Sequence, residues 1–425
     1  MGKAKLTNNQ EQGLAQTIFE AMPSASEMSV LGLLQFGSSA LLKEAVVAEI
    51  TRYLGRGFYQ HLKSGQEFKG ERNGYRRTTV DTPIGQVEYS RPLVAYAPDF
   101  ESKFHTPYMR RPKAFANAIA DMHVNGVSHR SVKRALKSVT GENVRLSKST
   151  ICRITKRLVG EFKLWQKRDL SNLPVKYLIL DATRLKIRLD SSSKQPVMIA
   201  YAVLEDGSME TISIAVRNSE SNAAWESFIA DLKRRGLKDP LLTVSDGNDG
   251  VIAAIEKYFQ TGWRQRCVKH KTDNVLECVP LEKQEDVRED INRIFYGATS
   301  LEQAKLAVQD FTLKYRKLYP SAVACLHRDL DQCLTFYLFP LSHWKRIRTS
   351  NRLERMNLEI KRRLNSIGRH PDEDGCLALV YRVCTQYQQK KYGFKADDLV
   401  QALWKKLREQ KIEMIKQLEL DLEAA

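Results

Sequence analysis

Two aspartates stand where a carboxylate is costly. Asp181 follows the apolar run Tyr177, Leu178, Ile179 and Leu180, which reads as a buried strand. An unpaired carboxylate at the end of such a strand is expensive. Asp246 ends a second apolar run, "PLLTVSDG". In open α/β sheets, ligands gather beyond the carboxyl ends of the strands, so two such aspartates on neighbouring strands would face each other there. Two carboxylates in contact repel, and a divalent cation reverses the sign of that interaction. Mg²⁺ is typically held by one or two carboxylates together with phosphate oxygens. A pair of such ions about 4 Å apart clamps the attacking and leaving oxygens of a phosphoryl transfer. Plainer roles exist for both residues. Asp181 could accept backbone N–H groups at a strand end. Asp246 could be a turn residue or helix cap, although Asp249 lies nearer the helix start and suits the cap better.

A third acid is expected on the polar, basic helix of residues 351–364. Leu353, Met356, Ile360 and Leu364 form its apolar stripe at 100° per residue. Glu359 is explained as a surface ion pair with Arg363 and Arg355. Glu354 has fewer cations on its own flank and amides nearby at Asn351 and Asn357, which makes it the preferred third ligand.

Cys267 and His270 form C-x₂-H, half of a zinc site. The nearest further Cys or His is Cys278, and no convincing second half follows. The pair could hold zinc, His270 could contact DNA phosphate or tune the site, or the two could be a buried thiol beside a hydrogen-bonded ring. Trp225 could stack on a DNA base, but its place on an apolar helix face favours the core.

The elements that must position these groups follow from periodicity. Residues 176–189, 195–207 and 209–220 read as three strands joined by short turns, hence an antiparallel meander. A helix, the strand carrying Asp246, another helix and a strand "WRQRCVKH" follow. This mixed α/β order is the skeleton of an RNase H-like fold. Residues 275–345 read as an all-α insertion, and 346–425 as the second part of the core with C-terminal helices. On the amino-terminal side, 1–65 read as helical. Residues 66–170 read as a DNA-binding region: a hairpin over 72–94, then helices at 127–139 and 146–162. These two helices, with Gly141 and Asn143 between them and Ser147 as N-cap of the second, make a helix-turn-helix-like pair. The core's first part is then 171–274.

Charge narrows the function. The chain of 425 residues carries a formal net charge of +18, which points to a polyanion, with nucleic acid the first candidate. Between residues 101 and 170 there are 16 Lys and Arg against 5 Asp and Glu. DNA contacts are expected from Lys148, Arg153, Lys156 and Arg157 on the second amino-terminal helix. On and around the Glu354 helix they are expected from Arg348, Asn351, Arg355, Lys361 and Arg362, with His270 beside them. Such phosphate contacts would make binding steeply salt-dependent. Seven scattered cysteines do not form a disulfide framework and fit a reducing compartment. No stretch approaches the roughly 18 apolar residues of a membrane span. The expected location is cytoplasmic.

The set of motifs resembles the Mutator superfamily of transposases, in its bacterial insertion-sequence branch. The matching pieces are "LDAT" around Asp181, "SDGNDG" around Asp246, "QRCVKHKTDNV" around Cys267 and His270, and "TSNRLERMNLEIKRR" around Glu354. "RNGYRRTTVDTPIGQVE" and "GVSHRSVKRAL" look like the family's amino-terminal region. The resemblance spans roughly residues 50 to 390. It implies a DDE transposase of a mobile genetic element, with Asp181, Asp246 and Glu354 as catalytic, metal-binding trio. Its cofactor would be two Mg²⁺ ions, for which Mn²⁺ can substitute. Its substrate would be double-stranded DNA, both the terminal inverted repeats of the element and the target. It also implies cleavage and strand transfer, often through a circular intermediate, and at least a homodimer on DNA. Asp273 departs from the pattern, since relatives often carry a basic residue there. This bears on a DNA contact and not on the trio. Two other readings remain: a domesticated, catalytically silent DNA-binding protein, and a nuclease of the same fold acting on RNA or DNA junctions.

Overall fold

The computed structural model describes residues 30–104, 111–140, 148–185, 187, 194–367, 373–388 and 396–423. Two compact units emerge, one of Met1–His123 with Val127–Ile154, the other of Val124–Gly126 with Thr155–Ala425.

In the first unit, α1 (Val30–Leu54) precedes an antiparallel hairpin of β1 (Glu71–Thr82) and β2 (Gly85–Ala95). Alternation along β2 buries Val87 and Tyr89 and exposes Gln86, Glu88 and Ser90, as a half-buried strand requires. Val46, Ile50 and Leu54 of α1 form a small core with Val94 and Phe100. Then come α2 (Lys113–Val124), α3 (His129–Thr140) and α4 (Lys148–Gln166). Phe115 and Ile119 of α2 pack on Val132 and Leu136 of α3. The turn expected to join α3 to α4, with Gly141, Asn143 and the cap Ser147, lies outside the described residues. The boundary between the units falls within α4, after Ile154.

The second unit is built on five strands: β3 (Val175–Leu185), β4 (Gln195–Leu204), β5 (Met209–Val216), β6 (Leu242–Ser245) and β7 (Trp263–Arg266). Their spatial order is β5-β4-β3-β6-β7. β3, β4 and β5 form an antiparallel meander, and β6 and β7 add parallel to β3. The connections carry α5 (Asn222–Arg234) and α6 (Asp249–Tyr258). Both pack on one face of the sheet, where Trp225, Phe228, Ile229 and Leu232 meet Leu178, Leu180, Met198 and Ala200. Trp225 is 1% exposed within this core, so it supports the sheet and does not stack on a base.

After β7 the described chain is helical: α7 (Val268–Leu276), α8 (Gln284–Asn292), a π turn at Arg293–Gly297, α9 (Leu301–Tyr315), α10 (Pro320–His327), α11 (Leu330–Leu334), α12 (Leu341–Ile347), α13 (Asn351–Ile367), α14 (Glu373–Gln388) and α15 (Asp398–Glu423). The expected strand through His270 is therefore corrected. β7 ends at Arg266 because its partner β6 ends at Ser245, and the last ladder bond runs from Cys267 N to Ser245 O at 2.8 Å. With no strand left to pair, the backbone turns into α7.

Candidate active site

The pleat and the register converge on Asp181. Leu178 and Leu180 face the α5/α6 core, so Tyr177, Ile179 and Asp181 point to the opposite face. β3 and β6 pair in parallel with Tyr177 opposite Leu242 and Ile179 opposite Val244. Asp181 and Asp246 each lie two residues beyond that last pair, so the sheet presents them at the same level, at the carboxyl ends of adjacent strands.

The turn after Asp246 is held from two sides. Its Oδ1 accepts the N–H of Asn248 at 3.0 Å. Asn248, not Asp249, caps α6: its backbone is extended and its Oδ1 accepts from Gly250 N at 2.9 Å. The helix begins one residue earlier than the sequence implied, which leaves Asp249 in the first turn. Gly247 leaves the space that Arg266 occupies. A Cβ there would lie 1.3 Å from Nη1 of Arg266, whose buried guanidinium crosses the glycine and pairs with Asp329 at 3.2 Å.

Glu354 comes from the first turn of α13, whose buried residues Leu353, Met356, Ile360 and Leu364 fix the helix rotation. One turn on, buried Asn357 donates from Nδ2 to Asp181 Oδ2 at 2.9 Å. Spacing of three places both residues on the same side of the helix, so one element delivers an acid and clamps another. The Glu354 carboxylate meets Lys269 Nζ at 2.7 Å through Oε2, with His270 Nε2 4.0 Å from Oε1. Glu359 pairs with Arg362 and Arg363, and Arg362 takes the place expected of Arg355.

Cys267, at 0% exposure, precedes α7 and contacts Ser350 Oγ at 3.3 Å. Donor atoms of Cys267, His270 and Glu354 lie within 4.8 Å of one another. The partner missing from the C-x₂-H motif is thus the candidate carboxylate, brought from 84 positions away. Next along α7, buried Lys271 donates to the carbonyls of Cys325 and Arg328 at the end of α10. A lysine suits the exposed carbonyls of a helix C-terminus.

Asp181 senses the charges of the other two acids. Burial, followed by the charges of Asp246 and Glu354, lifts the Asp181 carboxyl from 3.8 to about 7, and His270 opposes the rise. Contact with Cys267, and then the charges of Asp181 and Asp246, hold His270 above its usual value. Glu354 Oε1 and Asn357 Oδ1 are buried without a hydrogen-bond donor. Buried acceptors of this kind call for an additional partner. Among the described residues, the set of ligand atoms lying within 4.8 Å of one another is Cys267, His270 and Glu354, a mixture of sulfur, nitrogen and oxygen, and Asp181 and Asp246 stand outside that set.

The sequence matches the family model "Transposase, Mutator family" over residues 10–393. The chain belongs to the Mutator family of transposases. It is 32% identical over 341 residues to the transposase for insertion sequence element ISRM5 of Rhizobium meliloti, covering 80% of this chain and 84% of that protein. It is 28% identical over 351 residues to the transposase for IS256 in transposon Tn4001 of Staphylococcus aureus, covering 80% of this chain and 88% of that one. Among solved structures it matches the Drosophila P element transposase strand transfer complex, over 70% of this chain and 91% of that chain. That match has 12% identity and a TM-score of 0.27, too weak to argue from.

For a Mutator transposase, the cations of interest divide into free and engaged. Arg355, Lys361 and Arg362 are exposed on α13, Arg362 in its pair with Glu359. Arg348 is engaged: its guanidinium lies 4.0 Å over the Tyr296 ring and donates to Phe295 O at 3.2 Å. Arg153, Lys156 and Arg157 are exposed on α4, with Arg157 near Glu161 at 3.4 Å. The side chains of Lys148 and Asn351 lie outside the described residues. Asp273 sits 3.9 Å from Lys269. Among the described residues, no helix is long and apolar enough to cross a membrane. Sequence reasoning set Asn357 beside Glu354 but did not foresee its bond to Asp181, and it missed Lys269. The signal for Asn357 was its spacing from Glu354. For Lys269, whose partner is remote, there was none.

Proposed function

We propose that this Mutator transposase is of the DDE type. It would bind the terminal inverted repeats of its element and carry out Mg²⁺-dependent strand cleavage and strand transfer, through a circular intermediate. The observation that carries this reading is the parallel pairing of β3 with β6, which levels Asp181 with Asp246, while α13 brings Glu354 and ties Asn357 to Asp181. The strand order, a meander extended by two parallel strands, supports assigning residues 171–274 and 346–425 to an RNase H-like core interrupted by the helices of 275–345. Residues 66–170 would read DNA, and 1–65 would precede them.

Asp181, Asp246 and Glu354 would hold the metal. When bound, divalent ions supply the charge that offsets the carboxylate repulsion and favours the attacking and leaving oxygens of an in-line displacement. The protein's own groups prepare that event. Asn357 fixes the orientation of the Asp181 carboxylate. Arg266, lying across Gly247, sets the turn that bears Asp246. Lys269 balances Glu354 before DNA arrives. In cleavage, water attacks the phosphorus at the element end, and the bond to the 3′-oxygen breaks to leave a 3′-hydroxyl. In transfer, that hydroxyl attacks a phosphorus of the joined strand, whose own bond to a 3′-oxygen breaks, so that a new phosphodiester forms and a new 3′-hydroxyl is left, the proton of the attacking hydroxyl passing to solvent. Exposed Arg355 and Lys361 are suited to phosphates on either side. Two ends must be joined, so the active form would be at least a dimer, working on nucleoid DNA in the cytoplasm.

The test is a plasmid carrying this reading frame between its native flanking DNA, beside the same plasmid with Asp181→Ala. Excised circles or joined ends from the wild type alone are expected. Absence of products from both, with purified protein still binding the ends, would replace this reading with that of a silent DNA-binding protein.

A further inference from the structure

Among the described residues, two of the three non-glycine residues with positive φ are exposed tyrosines of the first unit: Tyr59 at φ 59° and Tyr96 at φ 55°. Left-handed backbone is unfavourable for a bulky L residue. Here no burial offsets it, because Tyr59 is 100% and Tyr96 77% exposed. Both lie toward the open end of the hairpin: Tyr96 follows β2 directly, and Tyr59 neighbours Phe58, which lies under Arg72 near the start of β1. Gly70 packs so closely on the Tyr96 segment that a Cβ would lie 2.7 Å from Ala95 O and 3.2 Å from Tyr96 O. Arg56 donates to Gly70 O at 2.7 Å, and Arg72 donates to Arg56 O at 3.0 Å. The Arg72 guanidinium lies 4.2 Å over the ring of Phe58, whose centroid is 6.4 Å from that of Tyr59. Arg72 thus braces the exposed Phe58 ring.

The surroundings are basic. Residues 52–77 carry seven Lys and Arg against two Glu. Exposed rings set among cations suit a ligand with flat faces and a polyanionic backbone, which is unpaired nucleic acid. Duplex bases are stacked and hide those faces, whereas a frayed or cleaved DNA end offers them. We infer that Phe58, Tyr59 and Tyr96 form a stacking platform for unpaired bases at a DNA end. The inference rests on the DNA-processing function proposed above, and adds a site outside the carboxylate cluster.

Glycine adopts left-handed backbone without strain, so Tyr59→Gly and Tyr96→Gly remove the rings while favouring the fold. The experiment measures fluorescence anisotropy of the full chain, wild type and doubly substituted. The probes are a blunt duplex of the element end and the same duplex with a short unpaired tail. Stacking is worth roughly 1–3 kcal/mol per base, and 1.4 kcal/mol is tenfold. The tail is therefore expected to tighten wild-type binding about tenfold. The double variant is expected to lose that gain, bind the blunt duplex as before, and melt no lower than wild type. A tail that makes no difference to the wild type, or a variant that keeps the gain, would overturn the platform. So would a variant that changes self-association and leaves tail binding intact, since the face would then serve a second copy of the chain. Wild type that binds neither probe would overturn the proposed function as well.

Discussion

Replacing Asp181 by asparagine should make the metal-free protein more stable. The carboxyl is 8% exposed, near Asp246 and Glu354, and titrates at about 7 instead of 3.8. Below about pH 4 it is neutral whether folded or unfolded, and has no differential effect. As pH rises, the unfolded chain ionises first, so folding loses stability progressively until about pH 7, above which the loss is complete. At 1.36 kcal/mol for each pH unit between the two values, the full cost is about 4 kcal/mol. Asparagine keeps the size and can still accept from Asn357 Nδ2, which now stands 2.9 Å from Oδ2. We expect Asp181→Asn to gain about 2–4 kcal/mol at pH 8 in chelator, and little at pH 4. Mg²⁺ at a hundred times its dissociation constant should stabilise the wild type by about 2.7 kcal/mol and the variant far less. All five tryptophans lie in the second unit, so denaturant unfolding followed by tryptophan fluorescence reports the unit that carries the cluster. A variant less stable than wild type at pH 8 in chelator, or equally protected by Mg²⁺, would refute the claim that three carboxylates are crowded there to receive a metal.

Asn357→Ala removes a hydrogen bond to a carboxylate, worth about 1.5–3 kcal/mol. Single-turnover cleavage should fall roughly 10–150-fold, with end binding unchanged in a gel-shift assay. Gly247→Ala drives a Cβ into the Arg266 guanidinium and should destabilise by more than about 2 kcal/mol. Adding Arg266→Ala should recover part of that loss, and chemical denaturation of the four proteins closes the cycle. Trp225→Ala should cost about 3–5 kcal/mol as a core truncation and leave the DNA affinity of the folded protein unaltered, read by urea unfolding and anisotropy.

Much of the second unit is legible locally because its signals are local. The run Tyr177 to Leu180 announces a strand buried on both faces, and the i, i+3, i+4 stripe of α13 announces which side packs. Identity followed from motifs in order along the chain, each weak alone. What could not be read depends on distant partners. Only the register of β3 on β6 shows that Asp181 and Asp246 are level. Lys269 meets Glu354 from another helix, and Arg348 is occupied by Tyr296 of the π turn. The end of β7 is set by where β6 stops, which the residues "WRQRCVKH" do not encode. The cap of α6 went to Asn248 in place of Asp249, a one-residue shift between two good capping side chains.

The most direct test of the carboxylate cluster uses purified protein and a labelled duplex containing the element end, with Mg²⁺, comparing wild type with Asp181→Asn, Asp246→Asn and Glu354→Gln. The account predicts that the wild type releases a 3′-hydroxyl at the end, and that each variant binds the duplex as wild type does yet cuts at least about a thousandfold more slowly, a loss of roughly 4 kcal/mol in transition-state stabilisation. Wild-type cutting by any one of the three would contradict the assignment of that residue. Undiminished cutting by Asp181→Asn would contradict the account as a whole.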